Sequence, residues 1–573
     1  MVALFVIVVL SFTGMATRLV MLQVIDAPAY AKLAANQRER EVEFPARRGA
    51  VFDRDGEPLA ISVDLYTVFA DPSLVKDPVD AAARLAPVLH KKPAGLVKKL
   101  RGTWPGDRFE YLARYVEPDL ARLIRSLRIP GVYMETAPKR YYPNAGLAAH
   151  VLGFVDLDGK GLTGIELQYE KILKGKPGKM ILEQDPKGRA LPQAEFEYER
   201  PETGRSLFLT IDKEIQYYSE QALASAVQQF GADAGTAIVM RPGTGEILAL
   251  ANVPTFDPNE PGQSEAQNHR NRGLTDMYEP GSAFKAVTVS AALQERAVKP
   301  KTTFVVPESM QVSVEVIHDS HSHATEQMTV AEIIKDSSNV GTVKIGMKLG
   351  GKKLDDYIRR FGFGQKTGLG FPGEVAGSML DLEDWSGVTI GNLPIGQGIA
   401  VTPMQMAAAF STIANKGVWV EPKLVYGTMG DRGSVERSSA PVTRRILSRR
   451  TAREVRKMLT AVVDDGTGVN AQVPGYNVAG KTGTAQKALP TGGYGNSYVA
   501  SFAGFAPARH SQIMAIVVLD EPRPIWGGHT AAPTFQKIME FSLRHLGISP
   551  SGNAVQAARE IEEARAQAGD VRD

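Results

Sequence analysis

The segment Glu279-Pro280-Gly281-Ser282-Ala283-Phe284-Lys285 sets a proline–glycine break directly before a serine and an apolar run, Ala283 to Leu293. Proline and glycine stop regular structure, and the run is long enough for a buried helix. The pattern predicts a turn that delivers Ser282 into the first turn of that helix, near the positive end of its dipole. Lys285 lies three residues on and projects from the same face. A serine hydroxyl is a poor nucleophile until a base takes its proton. A lysine buried against the helix loses hydration, which favours its neutral form and makes it a candidate base. Ser-x-x-Lys also arises by chance, and Ser73-Leu74-Val75-Lys76 is a second copy, so alone the motif fits an ordinary helix start.

Two further motifs follow in order. Thr329 to Leu349 reads as two helices broken at Asp336-Ser337-Ser338-Asn339, where Ser and Asn favour caps and turns. Lys481-Thr482-Gly483-Thr484 lies in a predicted edge strand, Tyr476 to Ala485. Further strands are expected at Tyr498–Phe505 and Gln512–Leu519, with a hairpin at Gly235–Ala251 and a helix at Lys213–Phe230. Five strands and the helices predict an α/β domain over 205–548. Each motif has a chemical job. Ser282 attacks a carbonyl and Lys285 accepts its proton. Ser337 relays that proton toward a leaving amine, and Asn339 bonds the substrate amide. A substrate peptide adds to the edge strand, with Gly483 allowing close approach. Lys481, Thr482 and Thr484 suit a terminal carboxylate. The N–H groups of Ser282 and Thr484 suit an oxyanion hole. Lys366-Thr367-Gly368 repeats the third motif in a glycine-rich segment, and Ser551-Gly552-Asn553 repeats the second after the domain has closed. Only the 282, 337 and 481 set has each member on the expected element.

The rest of the chain bounds the reading. The 573 residues suggest three to four domain-sized units, and 43% hydrophobic residues suit packed domains. A net charge of +3 gives no reason to expect nucleic-acid binding, and the lack of cysteine excludes disulfides and thiolate chemistry. Met1 to Thr17 is uncharged and mostly apolar, ends at Arg18, and reads as an anchor over 1–17 rather than a buried helix. It shows neither the basic start nor the small-x-small site of a signal peptide. Arg18 to about Phe44 reads as helix. Arg47 to Ala60 reads as two short strands around the turn Asp53-Arg54-Asp55-Gly56, a likeness to a calcium loop that no downstream glutamate completes. Residues 61–205 mix short strands with charged helices such as Pro118–Leu127 and are assigned a structural or docking role, within a segment 18–204 set apart from the α/β domain. Residues 549–573 read as a polar mobile tail. His318, His321 and His323 read as a solvated loop rather than a metal site, and Gly368-x-Gly370-x-x-Gly373 lacks the strand–helix context of a nucleotide site.

With these residues in view, the chain resembles the class B penicillin-binding proteins, and within them the septal branch. The resemblance rests on RLVMLQV after the anchor, RRGAVFDRDGEPLA (47–60), RYYPNAGLAAHVLGFVD (140–156), GLTGIELQYEKIL (161–173), NRGLTDMYEPGSAFK (271–285), KDSSNVG, GQGIAVTPMQMA (396–407) and AGKTGTA. It implies an N-terminal transmembrane helix, an elongated α+β pedestal of the dimerisation type, and a transpeptidase domain with a five-stranded antiparallel sheet flanked by helices. It implies a periplasmic D,D-transpeptidase at the division septum of a bacterial inner membrane. The donor is the D-Ala-D-Ala end of a peptidoglycan stem, and β-lactams inhibit. Implied partners are an FtsW-type glycosyltransferase and other divisome membrane proteins, with no metal, organic cofactor or nucleic acid. The alternatives are an elongation-type enzyme, a β-lactamase or drug sensor, and a non-catalytic division scaffold. The family's basic cytoplasmic tail does not precede Met1, so the native product is expected to begin upstream.

Overall fold

A computed structural model describes residues 1–27, 39–102, 107–183, 197–430, 433–489 and 493–551. The chain forms two compact units: Met1–Gly49, Ser62–Lys139 and Lys171–Arg205 in one, and Ala50–Ile61, Arg140–Glu170 and the residues from Ser206 on in the other.

The first unit opens with a helix, Val2–Val20, that continues as a π-helical turn, Met21–Ile25. Together they make a 24-residue stretch long and apolar enough to cross a membrane. The helix runs on past Arg18, as the helical reading from Arg18 onward expects. Arginine is a good helix former, and its long side chain reaches polar surroundings from near a helix end. The helix expected to reach Phe44 is not found there. Glu39–Phe44 is a strand paired antiparallel with Gly178–Glu183. Val42 and Phe44 alternate with Glu41 and Glu43, a period-two pattern outweighed in the reading by the helix-favouring charges before it. Residues 28–38, where the same helix was expected, lie outside the described residues. Further on, Tyr66–Ala70 pair with Glu110–Val116. Helices Pro78–Leu89, Pro93–Leu100 and Pro118–Ser126 each begin at a proline, which is preorganised for a first helical position. Their apolar faces enclose Val68, Leu85, Leu96, Leu112 and Ile124.

In the second unit the hairpin Val51–Phe52/Pro58–Ala60 turns at Asp53, whose carboxylate accepts the N–H groups of Asp55 and Glu57. Its main elements are α1 (Lys213–Phe230), β1 (Ala234–Met240), β2 (Ile247–Val253), α2 (Lys285–Gln294), α3 (Val330–Lys335), α4 (Asn339–Leu349), α5 (Pro403–Ala414), α6 (Arg449–Asp465), β3 (Ala479–Ala488), β4 (Tyr494–Ala506), β5 (Ile513–Asp520) and α7 (Ala531–His545). The five strands form one antiparallel sheet in the order β2-β1-β5-β4-β3. Every residue of β1 is buried, as are all but the last of β5, because helices cover both faces. On one face α1 and α7 bury Leu223, Val239, Val517, Phe535 and Ile538, each contributing about 1.5–3 kcal/mol. Across the other lies α5, buried on all sides and started by a reciprocal Thr402–Gln405 cap. The order leaves β3, with the third motif, at the sheet's edge.

Candidate active site

Ser282 lies in a 3₁₀ turn, Gly281–Phe284, that runs into α2. Gly281 has φ +51°, and a Cβ there would meet the Thr484 carbonyl oxygen at 2.7 Å. The serine turn thus presses on β3, where only glycine fits. Gly483 serves the same contact from the other side. A Cβ on it would collide with Ser501 Oγ of β4 and lie 2.9 Å from the Pro280 carbonyl. The missing side chain lets the serine turn and β4 close on β3.

Lys285 through Leu293 are all buried. Lys285 Nζ donates to the Ser337 carbonyl at 2.5 Å and to Asn339 Oδ1 at 2.6 Å, and lies 3.3 Å from Ser337 Oγ. Burial pushes its amine well below the ordinary lysine value, and the nearby Lys481 charge adds to this against Asp319. A neutral amine has two N–H groups and one lone pair. The two short bonds use both N–H groups and leave the lone pair to take a proton.

Ser337 sits between α3 and α4 with φ +62°, a left-handed conformation rare for serine. Its Oγ accepts from Lys481 Nζ at 2.9 Å, so one hydroxyl bridges two lysines. Lys481 is fully buried and also donates to Thr482 Oγ1 at 3.2 Å. Desolvation lowers it to about 7. It therefore stands behind Ser337, and the hydroxyls of Thr482 and Thr484 face the site in its place. Asn339 gives its amide oxygen to Lys285 and one N–H to the His318 carbonyl at 2.8 Å, leaving a single N–H for a ligand.

The residue that sequence reasoning missed is Asp319. Its carboxylate accepts from Ser338 Oγ at 2.7 Å, from Val340 N at 3.0 Å and from Asn339 N. The two N–H groups lie at the start of α4 and have no partner within the helix, so Asp319 fixes the Ser-x-Asn turn as a helix cap does. His323 Nε2 lies 3.1 Å away. His323 is held above its ordinary pKa by its bond to the Ala324 backbone and then by Asp319. The loop read as solvated thus carries a buried anchor, which its histidine-rich composition hid. Among the described residues no three His, Asp or Glu side chains gather as a metal set.

A cavity of about 700 Å³ collects Ser282, Ser337, Asn339, Thr482 and Thr484, with Thr467, Tyr498 and Trp526 in its wall. Lys285 and Lys481 lie just behind it. The repeats stay apart: Ser73 accompanies a short 3₁₀ turn in the first unit, and Thr367 bonds Glu374 in a loop. The arrangement can activate a hydroxyl without an exposed charge and hold an extended peptide against β3.

The chain matches the Penicillin binding protein transpeptidase domain over residues 235–540 and the Penicillin-binding Protein dimerisation domain over 43–209. It is 36% identical to the probable peptidoglycan D,D-transpeptidase PbpC of Pseudomonas aeruginosa, over 96% of this chain and 95% of that one. It is 33% identical to the peptidoglycan D,D-transpeptidase FtsI of Escherichia coli, over 95% and 91%. The crystal structure of penicillin binding protein 3 from Mycobacterium tuberculosis, complexed with aztreonam, is similar with a TM-score of 0.71 and 31% identity, covering 90% of this chain and 99% of that one. Likeness of this extent, along nearly the whole chain and in both units, makes the chain a member of the class B penicillin-binding proteins, a family of peptidoglycan D,D-transpeptidases.

Proposed function

We propose that this transpeptidase cross-links stem peptides at the division septum, with Ser282 as nucleophile and Lys285 as its base. Ser282 Oγ attacks the carbonyl carbon of the penultimate D-alanine as Lys285 Nζ takes the hydroxyl proton. The N–H groups of Ser282 and Thr484 receive the developing oxyanion. The proton passes through the Ser337 hydroxyl to the leaving nitrogen, the C–N bond breaks, and D-alanine departs from a Ser282 ester. An amine of a neighbouring stem attacks that ester, forms the amide, and returns the proton to Ser282 Oγ. Thr482 and Thr484 hold the terminal carboxylate, with the buried Lys481 behind them, and Asn339 gives its remaining N–H to the donor amide. The observation that carries this reading is the Ser337 hydroxyl set between two buried lysines, 3.3 Å from one and 2.9 Å from the other, in the wall of the cavity that holds Ser282.

The septal assignment is supported by the resemblance to that branch and by the FtsI relative. The helix Val2–Ile25 supports a single membrane anchor with the catalytic unit outside the cytoplasm. A membrane glycosyltransferase of the FtsW type and other division proteins are the proposed partners. Peptide mapping after treatment with a fluorescent penicillin tests the chemistry: label is expected on Ser282 and none on Ser282→Ala. Label on Ser73 would sink the assignment. A fluorescent fusion tests the location, with a midcell band expected. Side-wall patches would transfer the protein to cell elongation.

A further inference from the structure

Helix α6 leads toward the active-site cavity. It ends at Asp465, and Thr467, two residues on, stands in the cavity wall. Its apolar side, with Val455, Leu459 and Val462, is buried, and the helix packs against α2, α3 and β3. Its outer side is cationic. The exposed residues of the helix are Arg449, Arg450, Arg453, Lys457, Asp464 and Asp465, all of them charged. The two aspartates occupy the last turn, where Asp465 meets Lys335 at 3.4 Å. Arg450 pairs with Glu454 at 3.1 Å. Arg449, Arg453 and Lys457 have no acidic partner and no side-chain hydrogen bond among the described residues. Spaced at i, i+4 and i+8, they form one stripe about 12 Å long, which begins about 12 Å along the helix from Asp465.

Folding does not call for this stripe. Like charges at i, i+4 repel, and cations at a helix N-terminus oppose its dipole. The first turn of α6 holds no acidic residue. Other exposed helical arginines have an acid one turn away: Arg84 has Asp80, Arg122 has Asp119 and Arg544 has Glu540. The stripe thus lowers helix stability and keeps three cations free for an anion outside the chain.

The surroundings say which anion. A helix that lies on a membrane carries apolar side chains beside its cations, and a protein interface has an apolar core. The outer side of α6 exposes no apolar side chain. It suits a hydrated polymer bound by charge alone. The family's substrate is such a polymer. Each uncross-linked peptidoglycan stem ends in a free carboxylate, which the planar fork of arginine matches.

We propose that the outer face of α6, through Arg449, Arg453 and Lys457, binds carboxylates of peptidoglycan stems that are outside the active site. A strand held there keeps its other stems within reach of the cavity, which raises their effective concentration. The proposal needs the family's substrate but not the assignment of Ser282.

The test measures binding of fluorescent uncross-linked peptidoglycan strands to the full chain in detergent, with benzylpenicillin present to block the active site. Control strands have had their stems removed by an amidase. Stripped strands are expected to bind at least about ten-fold more weakly than intact ones, and the difference to shrink as salt screens the exposed charges. The variant Arg449→Gln/Arg453→Gln/Lys457→Gln is expected to lose about ten-fold or more in affinity for intact strands, as three exposed ion pairs together supply. Arg84→Gln/Arg122→Gln/Arg544→Gln removes the same charge from paired sites and is expected to bind as the unmodified protein does. Melting temperature and the rate of penicillin labelling, both expected to be unchanged, report the fold. Should the α6 triple variant prove unstable, Arg453→Gln alone is expected to weaken binding about two- to five-fold. Unchanged binding by the α6 variants, an equal loss in the control variant, or equal binding of stripped strands overturns the proposal. So does α6-dependent binding to vesicles of anionic phospholipid without binding to strands, which would give the face to the membrane.

Discussion

Ser337 combines two demands that conflict. Its φ of +62° costs a non-glycine residue about 1 kcal/mol or more, yet the hydroxyl that bridges Lys285 and Lys481 requires a side chain. Ser337→Gly and Ser337→Ala should both acylate slowly with penicillin, while the glycine variant melts higher, being about 1 kcal/mol more stable. If alanine proves the more stable, the backbone there is not strained. Lys285→Met should fold and lose about 10²–10⁴-fold in acylation rate, as removal of a general base does. The pH dependence follows in sign. In the proposed role Lys285 acts when neutral, and burial lowers its amine well below 10.5. The rate should therefore rise with pH through a midpoint clearly below that of free lysine and level off above it. Penicillin acylation rates across pH would show this. A limb rising only near pH 10.5 would contradict a desolvated base.

At the scale of elements, the site is the junction of α2, the start of α4 and the edge strand β3. Each contact is short because a side chain is missing or a polar group is capped. Gly483→Ala should lower both the melting temperature and the acylation rate, since the new methyl meets Ser501 Oγ and the Pro280 carbonyl. Ser501→Ala removes the nearer obstacle, so the pair should show positive coupling in a double-mutant cycle. Purely additive effects would mean that the strand moves as a whole. Asp319→Ala leaves N–H groups of α4 without their acceptor. It should cost about 0.5–2 kcal/mol of stability and a larger share of acylation, because the Ser-x-Asn turn loses its anchor. A melting shift with unchanged acylation would reduce Asp319 to an ordinary cap.

For the whole molecule, the question is whether the Ser282 ester waits for an amine or is hydrolysed. The described cavity places no glutamate or aspartate beside Ser282 except Asp319, whose carboxylate is taken up by α4. The penicilloyl ester is expected to persist for many minutes in a chase with unlabelled drug, followed by intact mass. Recovery within seconds with steady drug turnover would favour a hydrolase. All three motifs lie in the second unit and the apolar helix Val2–Ile25 in the first. A chain lacking residues 1–25 should leave the membrane fraction and still label at Ser282. Loss of labelling with the fold intact would show that the helix takes part in the chemistry.

The sequence by itself determined what is local or periodic. The α1 span, the hairpin β1–β2, the break between α3 and α4, and the strands β3 to β5 follow from apolar spacing and turn residues, because these act over a few residues. The ordered motifs also supplied a candidate nucleophile and partners that line one cavity in the structure. One local reading failed where charge masked period: Glu39–Phe44, read as the end of a helix, is a strand. Only the tertiary structure decided the rest. Antiparallel pairing puts Lys481 inside and two threonines in front of it, and long-range approach brings Asp319 onto a helix that begins 20 residues later. It also sets Gly483 where a side chain would meet Ser501 of β4 and the Pro280 carbonyl. Burial and pairing of this kind depend on what folds back from a distance. No window of neighbouring residues records it.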